Sequence, residues 1–329
     1  MSASAPVTGP EQLAAVLDAA GPALRMLIDR TERRLEEIAA SHGPELTRHS
    51  AATLGAGGKR LRPMLVFICA GAGESDHLVR AGAAVELLHT ATLVHDDVLD
   101  RAALRRGRPT VFSSAGAGAA TAVGDFLFSR AFADLVGTGN DDAVRSLALA
   151  SSALARGELI QREDAWSPDV SRERYLERCE LKTARLFEAA CRIGALLGEP
   201  GPGAADALGA FGSRIGVAFQ IFDDVLDVSG PIERTGKPRG TDLLDGTVTL
   251  PLILARERDP SLREFAVGSP QAAEEVCDRI AATGALDESR RDALGFVAAA
   301  KDELRALDLN DRQRRALELV ADGVVERYG

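Results

Sequence analysis

Aromatic residues are scarce in this chain of 329 residues: Phe, Tyr and Trp together make up 4%, with a single Trp. That scarcity excludes a pocket paved with rings. Cysteine is sparse too. Cys69, Cys179, Cys191 and Cys277 stand without CxxC spacing among apolar or helical neighbours, which predicts buried free thiols and a reducing cytoplasm. Met1 to Pro10 offers neither a basic start nor an apolar core for export, and no run of about 18 apolar residues stands out. The expectation is a soluble, cytoplasmic protein whose residues 1–10 are flexible. Positive charge is in deficit, with 39 Lys and Arg against 49 Asp and Glu, so a net charge of −10 argues against nucleic-acid binding through a whole-surface field. Strand-like alternation is missing as well.

What remains is helix. Glu11 to Ala20, Leu24 to Ala40, Arg60 to Ala70, His77 to Leu99, Gly118 to Leu135, Asp141 to Glu163 and Ser171 to Leu197 all show apolar residues recurring at three and four. Gly137 to Asn140, Glu199 to Gly203 and Gly268 to Pro270 punctuate them as turns. No composition shift marks a boundary, so a single all-α domain over residues 1–329 is the economical architecture.

Two acidic units interrupt that apolar pattern: Asp96-Asp97-Val98-Leu99-Asp100 and Asp223-Asp224-Val225-Leu226-Asp227. Such runs are costly to bury unless a cation sits between them. Residues four apart on a helix lie about 40° apart around the axis, so Asp96 shares a face with Asp100, and Asp223 with Asp227. Two facing helices would present hard oxygen ligands only. That donor set suits magnesium, several ions sharing the oxygens of a bound phosphate. One unit alone would read as a solvated helix face; two in apolar helices read as a metal and phosphate clamp.

Cations stand near both units. Gly57-Gly58-Lys59-Arg60-Leu61-Arg62-Pro63 places glycines before three basic residues at a helix start, where backbone and charge can approach an anion. Arg105-Arg106-Gly107-Arg108 follows the first unit within one short loop. His89 lies two turns before Asp96, within about 20° of its face, and can donate to an anion there. His95 points away from Asp96, while His42, His49 and His77 read as surface residues. Gln220 and Lys182-Thr183 are polar groups inside apolar helices and need partners there.

The ordered motifs are GGKRLRP at Gly57 to Pro63, ELLHTATLVHDDVLD at Glu86 to Asp100, LRRGRPT at Leu104 to Thr110, GDFL at Gly124 to Leu127, LKTARLF at Leu181 to Phe187, FQIFDDVLD at Phe219 to Asp227, Gly236-Lys237, and TDLLDGTVTLP at Thr241 to Pro251. Spanning most of the chain, this set resembles the trans-isoprenyl diphosphate synthases, the polyprenyl synthetase family. The resemblance implies the isoprenoid synthase fold, helices around a deep central cavity, in a homodimer. It assigns isopentenyl diphosphate to Lys59, Arg62, His89 and Arg106, and the allylic diphosphate to Arg105, Lys182, Thr183, Gln220 and Lys237. Asp96, Asp100 and Asp223 would ligate Mg2+, up to about three ions once substrate is bound, with Asp97, Asp224 and Asp227 as direct or water-mediated helpers. The implied reaction is a prenyl transfer that lengthens the allylic chain, with the product released at a membrane periphery. One departure stands out: Thr247 occupies a position where many relatives carry Lys, with Asp242 a carboxylate behind the ligands. Two rivals, a class I terpene cyclase and a noncatalytic synthase subunit, are disfavoured by the second cationic anchor and by the completeness of both acidic units.

Product length should be set beneath the first unit. Short-chain relatives carry a bulky aromatic four or five positions before the first Asp, and here those positions are Thr92 and Ala91, with Leu88 one turn further. A turn advances about 5.4 Å, close to one isoprene unit, so the wall opens at least one unit deeper. The expectation is a hepta- to decaprenyl product rather than geranylgeranyl, unless Phe126 or Phe128 plugs the tunnel from another helix.

Overall fold

The computed structural model describes residues 9–55, 60–71, 73, 75–105, 107–198, 203–230, 239–264 and 267–326. The chain runs through α1 (Gly9–Ala20), α2 (Pro22–Ala39), α3 (Pro44–Leu54), α4 (Leu61–Ala70) and α5 (Asp76–Leu99) to a minimal hairpin, β1 (Leu104–Arg105) and β2 (Arg108–Pro109). It continues through α6 (Val111–Val136), α7 (Asp141–Glu163), α8 (Arg172–Cys179), a π-helical turn (Glu180–Ala184), α9 (Arg185–Leu197) and α10 (Ala204–Ser229). The remaining helices are α11 (Thr241–Leu244), α12 (Leu250–Arg258), α13 (Pro270–Ala282), α14 (Ala285–Arg305) and α15 (Asp311–Glu326). The all-α expectation holds. The 1–10 segment and the turn at Glu199 to Gly203 fall largely outside the described residues.

Helix starts follow their capping chemistry. Ser75, Thr110, Asn140, Ser171 and Ser269 each accept a hydrogen bond from the backbone N–H three residues on, satisfying a donor that the first turn leaves open. The two acidic units lie on long helices that bury more than half of their residues. α5 buries Leu87, Leu88 and Ala91 completely and packs along α6, while α10 buries Phe211, Ile215 and Ile221 between α9 and α14. A helix that is apolar on nearly every side belongs in the interior. Charge at its end therefore needs a specific reason.

Two expectations change. Ser171 to Leu197 is not one regular helix, because a π-helical turn at Glu180–Ala184 inserts an extra residue and re-aims Lys182 and Thr183; such bulges gather at functional sites. Periodicity of apolar residues cannot reveal it. The second concerns α6, which is long and apolar enough to cross a membrane by length and composition, with a mean hydropathy of 1.3. Its apolarity comes from Ala, Gly, Val and Phe rather than a block of Leu and Ile, which hides it on inspection. α6 bends at Gly116, whose φ of 84° lies in the left-handed region that glycine alone enters freely. Leu127, Ala131 and Leu135 are fully buried, whereas Phe128 and Val136 are exposed.

Candidate active site

Both acidic units sit at the C-terminal ends of their helices, the negative pole of the helix dipole, and neither α5 nor α10 has a basic residue in its last turn. Burial adds to the cost. Asp96 is pushed up to about 6, first by desolvation and then by Glu158 and Asp100, with Lys182 opposing. Desolvation likewise lifts Asp224 to about 6, against hydrogen bonds from Tyr175 and Gln220. A carboxylate that burial penalises in this way gains from a nearby cation or from strong hydrogen-bond donors.

Position within each unit divides the labour. Asp97 is buried and accepts from Arg105 Nε at 2.7 Å. Asp224 is buried, with Oδ2 accepting from the Tyr175 hydroxyl at 2.7 Å and Oδ1 from Gln220 Nε2 at 2.8 Å. Asp227 is buried and accepts from the backbone N–H of Asp242 at 3.2 Å, which ties the α11 loop to α10. Asp96, Asp100 and Asp223 keep partial or full exposure. They are the three named above as magnesium ligands. Among the described residues no group of three or more His, Cys, Asp or Glu converges into a ready-made metal cage. The donor set still fits Mg2+, which takes one or two carboxylates from protein and completes its octahedron with water and phosphate oxygens.

The π-helical turn stands between the two units. Lys182 Nζ donates to Glu158 Oε2 at 2.5 Å, and its charge acts on Asp96. Its neighbour Thr183 donates to Gln220 Oε1 at 2.7 Å, so one dipeptide connects the first unit's surroundings to the second's. α7 comes close enough for this only because residue 157 is glycine: a Cβ there would stand 2.6 Å from the backbone N of Lys182.

A separate cleft lies beside the first unit, lined by His49, Arg60, Glu86, His89, Asp97, Arg105, Arg108 and Thr110. His89, assigned above to isopentenyl diphosphate, and Arg105, assigned to the allylic diphosphate, therefore line one cleft. His49 joins them, half-buried rather than on the surface, because α3 folds its side over the cleft. Arg62, at the start of α4, holds its guanidinium 4.6 Å above the Phe187 ring. Arg60 is occupied structurally. At φ 46°, ahead of α4, it pairs with Glu32 at 2.5 Å and Glu86 at 2.6 Å. Lys59, Arg106 and Lys237 lie outside the described residues. Thr247 donates its backbone N–H to Asp242 O at 2.8 Å.

Beneath the first unit, Leu88 and Ala91 are fully buried, and Thr92 is half-buried with its hydroxyl on His89 O at 2.8 Å. Phe128 is exposed against Phe132, so it does not plug the interior; Phe126 is half-buried and meets His42 in a tilted ring contact with centroids 4.8 Å apart. Sequence reasoning passed over Glu158, Arg162 and Tyr175. The first two form an i,i+4 acid–base pair, which alone reads as a solvated helix face.

The sequence profile of the polyprenyl synthetase family matches residues 44–282. The chain is 38% identical over 285 residues to heptaprenyl diphosphate synthase component 2 of Geobacillus stearothermophilus, covering 85% of this chain and 88% of the relative. It is 34% identical over 323 residues to geranylgeranyl diphosphate synthase of Methanosarcina mazei, covering 92% and 99%. The solved polyprenyl synthase of Caulobacter crescentus, complexed with calcium and isoprenyl diphosphate, superposes with a TM-score of 0.86 at 34% identity over 99% of this chain and all of that one. The chain belongs to the polyprenyl synthetase family, and it is a prenyltransferase.

Proposed function

We propose that this enzyme condenses isopentenyl diphosphate with an allylic prenyl diphosphate to make an all-trans polyprenyl diphosphate of hepta- to decaprenyl length. One observation carries the reading: two carboxylate-bearing helix ends are joined through Lys182 and Thr183, beside a cleft lined by His89. One site ionises while the other holds the second diphosphate. Asp96, Asp100 and Asp223 would hold Mg2+, which when bound offsets the charge on the departing pyrophosphate.

The chain's own residues do the rest. Lys182, Thr183, Gln220, Arg105 and Lys237 orient the allylic diphosphate so that charge developing on its bridging oxygen meets fixed donors. Its C–O bond breaks, and pyrophosphate leaves. Lys59, Arg62, His89 and Arg106 anchor isopentenyl diphosphate with its alkene toward the allylic carbon. The new C–C bond forms, a proton leaves the adjacent carbon, and departing pyrophosphate takes it. Asp97, Asp224 and Asp227, committed to Arg105, Tyr175, Gln220 and the α11 loop, act as helpers that hold these donors in place.

The length assignment rests on Leu88, Ala91 and Thr92, none of them aromatic. A geranylgeranyl product is the second reading, favoured by the Methanosarcina relative. We further propose a single-domain, cytoplasmic homodimer that meets the membrane only to release product. Phe128 and Val136 of α6 and Leu149 and Leu159 of α7 are exposed large apolar residues on consecutive helices, which a second copy would cover. The test incubates purified enzyme with Mg2+, isopentenyl diphosphate and geranyl, farnesyl or geranylgeranyl diphosphate separately, then sizes the dephosphorylated products. Products of seven to ten units, about 35 to 50 carbons, support the assignment; a geranylgeranyl end point moves it to the second reading, and no elongation with any primer overturns it.

A further inference from the structure

α7 carries two charged residues that the reaction above does not use. Glu158 and Arg162 stand one helical turn apart, and Arg162 Nε donates to Glu158 Oε1 at 2.9 Å. Each also reaches beyond its own helix. Glu158 Oε2 accepts from Lys182 Nζ at 2.5 Å, and Arg162 Nη2 donates to Asp100 Oδ1 at 3.1 Å. The contacts form one unbroken chain of charges, Lys182 to Glu158 to Arg162 to Asp100, from the π-helical turn across α7 to the end of the first acidic unit. Exposure is lowest at Glu158 and rises toward Asp100. The Glu158 side chain is 13% exposed and Lys182 26%, against 39% for Arg162 and 46% for Asp100, so the acid in the middle is fixed and the Asp100 end is loose.

Asp100 cannot give the same oxygen to Arg162 and to a metal ion. Glu158 has two oxygens and two cationic partners, so any gain at one partner is felt at the other. We propose that the chain is a latch opened by metal: without a divalent cation, Arg162 neutralises Asp100 while Glu158 retains Lys182. When Asp96 and Asp100 take the cation, Arg162 is displaced onto Glu158, and the lysine turns to the allylic diphosphate. Glu158 and Arg162 are then positioning residues, touching neither reacting carbon. An exposed ion pair is weak, so displacing Arg162 costs only about two- to fivefold in metal affinity, which suits a contact that must open at every turnover. Metal binding and diphosphate binding become coupled through it.

The inference rests on the magnesium reading above, and the test separates the two. Binding of Mg2+ and Mn2+ to the substrate-free protein is measured by isothermal titration calorimetry for the wild type, Arg162→Gln, Arg162→Lys and Arg156→Gln. Arg156 is the control: it lies on the same helix but pairs with Glu177 at 2.5 Å. Arg162→Gln should bind both ions about two- to fivefold tighter, while Arg162→Lys and Arg156→Gln match the wild type. A second titration follows inorganic pyrophosphate with and without Mg2+. In Glu158→Gln, Lys182 is released from the start, so the factor by which Mg2+ tightens pyrophosphate should shrink at least about twofold. Unchanged or weaker metal binding in Arg162→Gln, equal tightening in Arg156→Gln, or an unchanged factor in Glu158→Gln overturns the latch. A wild type that binds neither ion even with pyrophosphate present overturns the magnesium reading itself.

Discussion

Replacing Gly157 with Ala places one methyl group where α7 meets the π-helical turn. Its Cβ would stand 2.6 Å from the Lys182 backbone N and 2.9 Å from the Lys182 Cα and Cβ. Atoms of this kind settle at about 3.5 to 4.0 Å, so the turn must move by roughly 1 Å. Two effects on stability oppose each other. Alanine favours the helix by about 1 kcal/mol over glycine, whereas overpacking costs about 1–3 kcal/mol, leaving a net loss between about 0 and 2 kcal/mol. Activity should suffer more than stability. A misplacement of about 1 Å in an orienting group can cost on the order of 100-fold, so a 10- to 100-fold fall in kcat/KM is expected for the allylic substrate. The isopentenyl diphosphate side should be spared, because Gly157 is not among the residues lining the cleft that holds His89. Steady-state kinetics with each substrate varied in turn, beside urea unfolding, reads both effects. Allylic kcat/KM within about twofold of wild type would refute the placement of Lys182.

Tyr175→Phe removes the hydroxyl that Asp224 Oδ2 accepts, leaving a buried carboxylate oxygen unmet. Urea unfolding should show a loss of about 1–3 kcal/mol, with a raised allylic KM as Asp224, which accepts from Gln220, loses the donor that fixes its other oxygen; wild-type values in both would sink the strut role of Asp224. Burial raises Asp96 to about 6 from an ordinary value of 3.8, so the folded protein binds the extra proton and its contribution to stability is lost as pH rises from about 4 through about 6. Metal-free Asp96→Asn should therefore be the more stable protein at pH 7, by about 1–3 kcal/mol, with the gap closing near pH 4; a gap independent of pH contradicts the desolvation argument. Ala91→Phe should shorten the products, read by chromatography after dephosphorylation, since a ring at a fully buried position beneath Asp96 fills the depth available to the tail. Unchanged length would mean that the wall lies elsewhere.

The acidic units were legible because their cost is local. Carboxylates in an apolar helix at i and i+4 demand a cation wherever that helix packs, and the comparison of two such units needs no tertiary information. The assignment of each Asp within its unit was not legible. Asp97 finds Arg105 eight residues away, but Asp224 finds Tyr175 at a separation of 49, and Asp227 meets the Asp242 amide at 15. Helical spacing puts Asp223 and Asp227 on one face as equals. Burial separates them: tertiary packing decides which carboxylate becomes a strut and which stays accessible. Glu158 and Arg162 were hidden for the same reason, since an i,i+4 pair on an exposed face looks complete until the π-helical turn brings Lys182 against it. Asp96, Asp100 and Asp223 keep surface that a ligand from solution can reach, while the carboxylates of Asp97, Asp224 and Asp227 are closed over. In this fold a metal-binding carboxylate is recognised less by its motif than by the exposure it retains once the other carboxylates of the motif are buried.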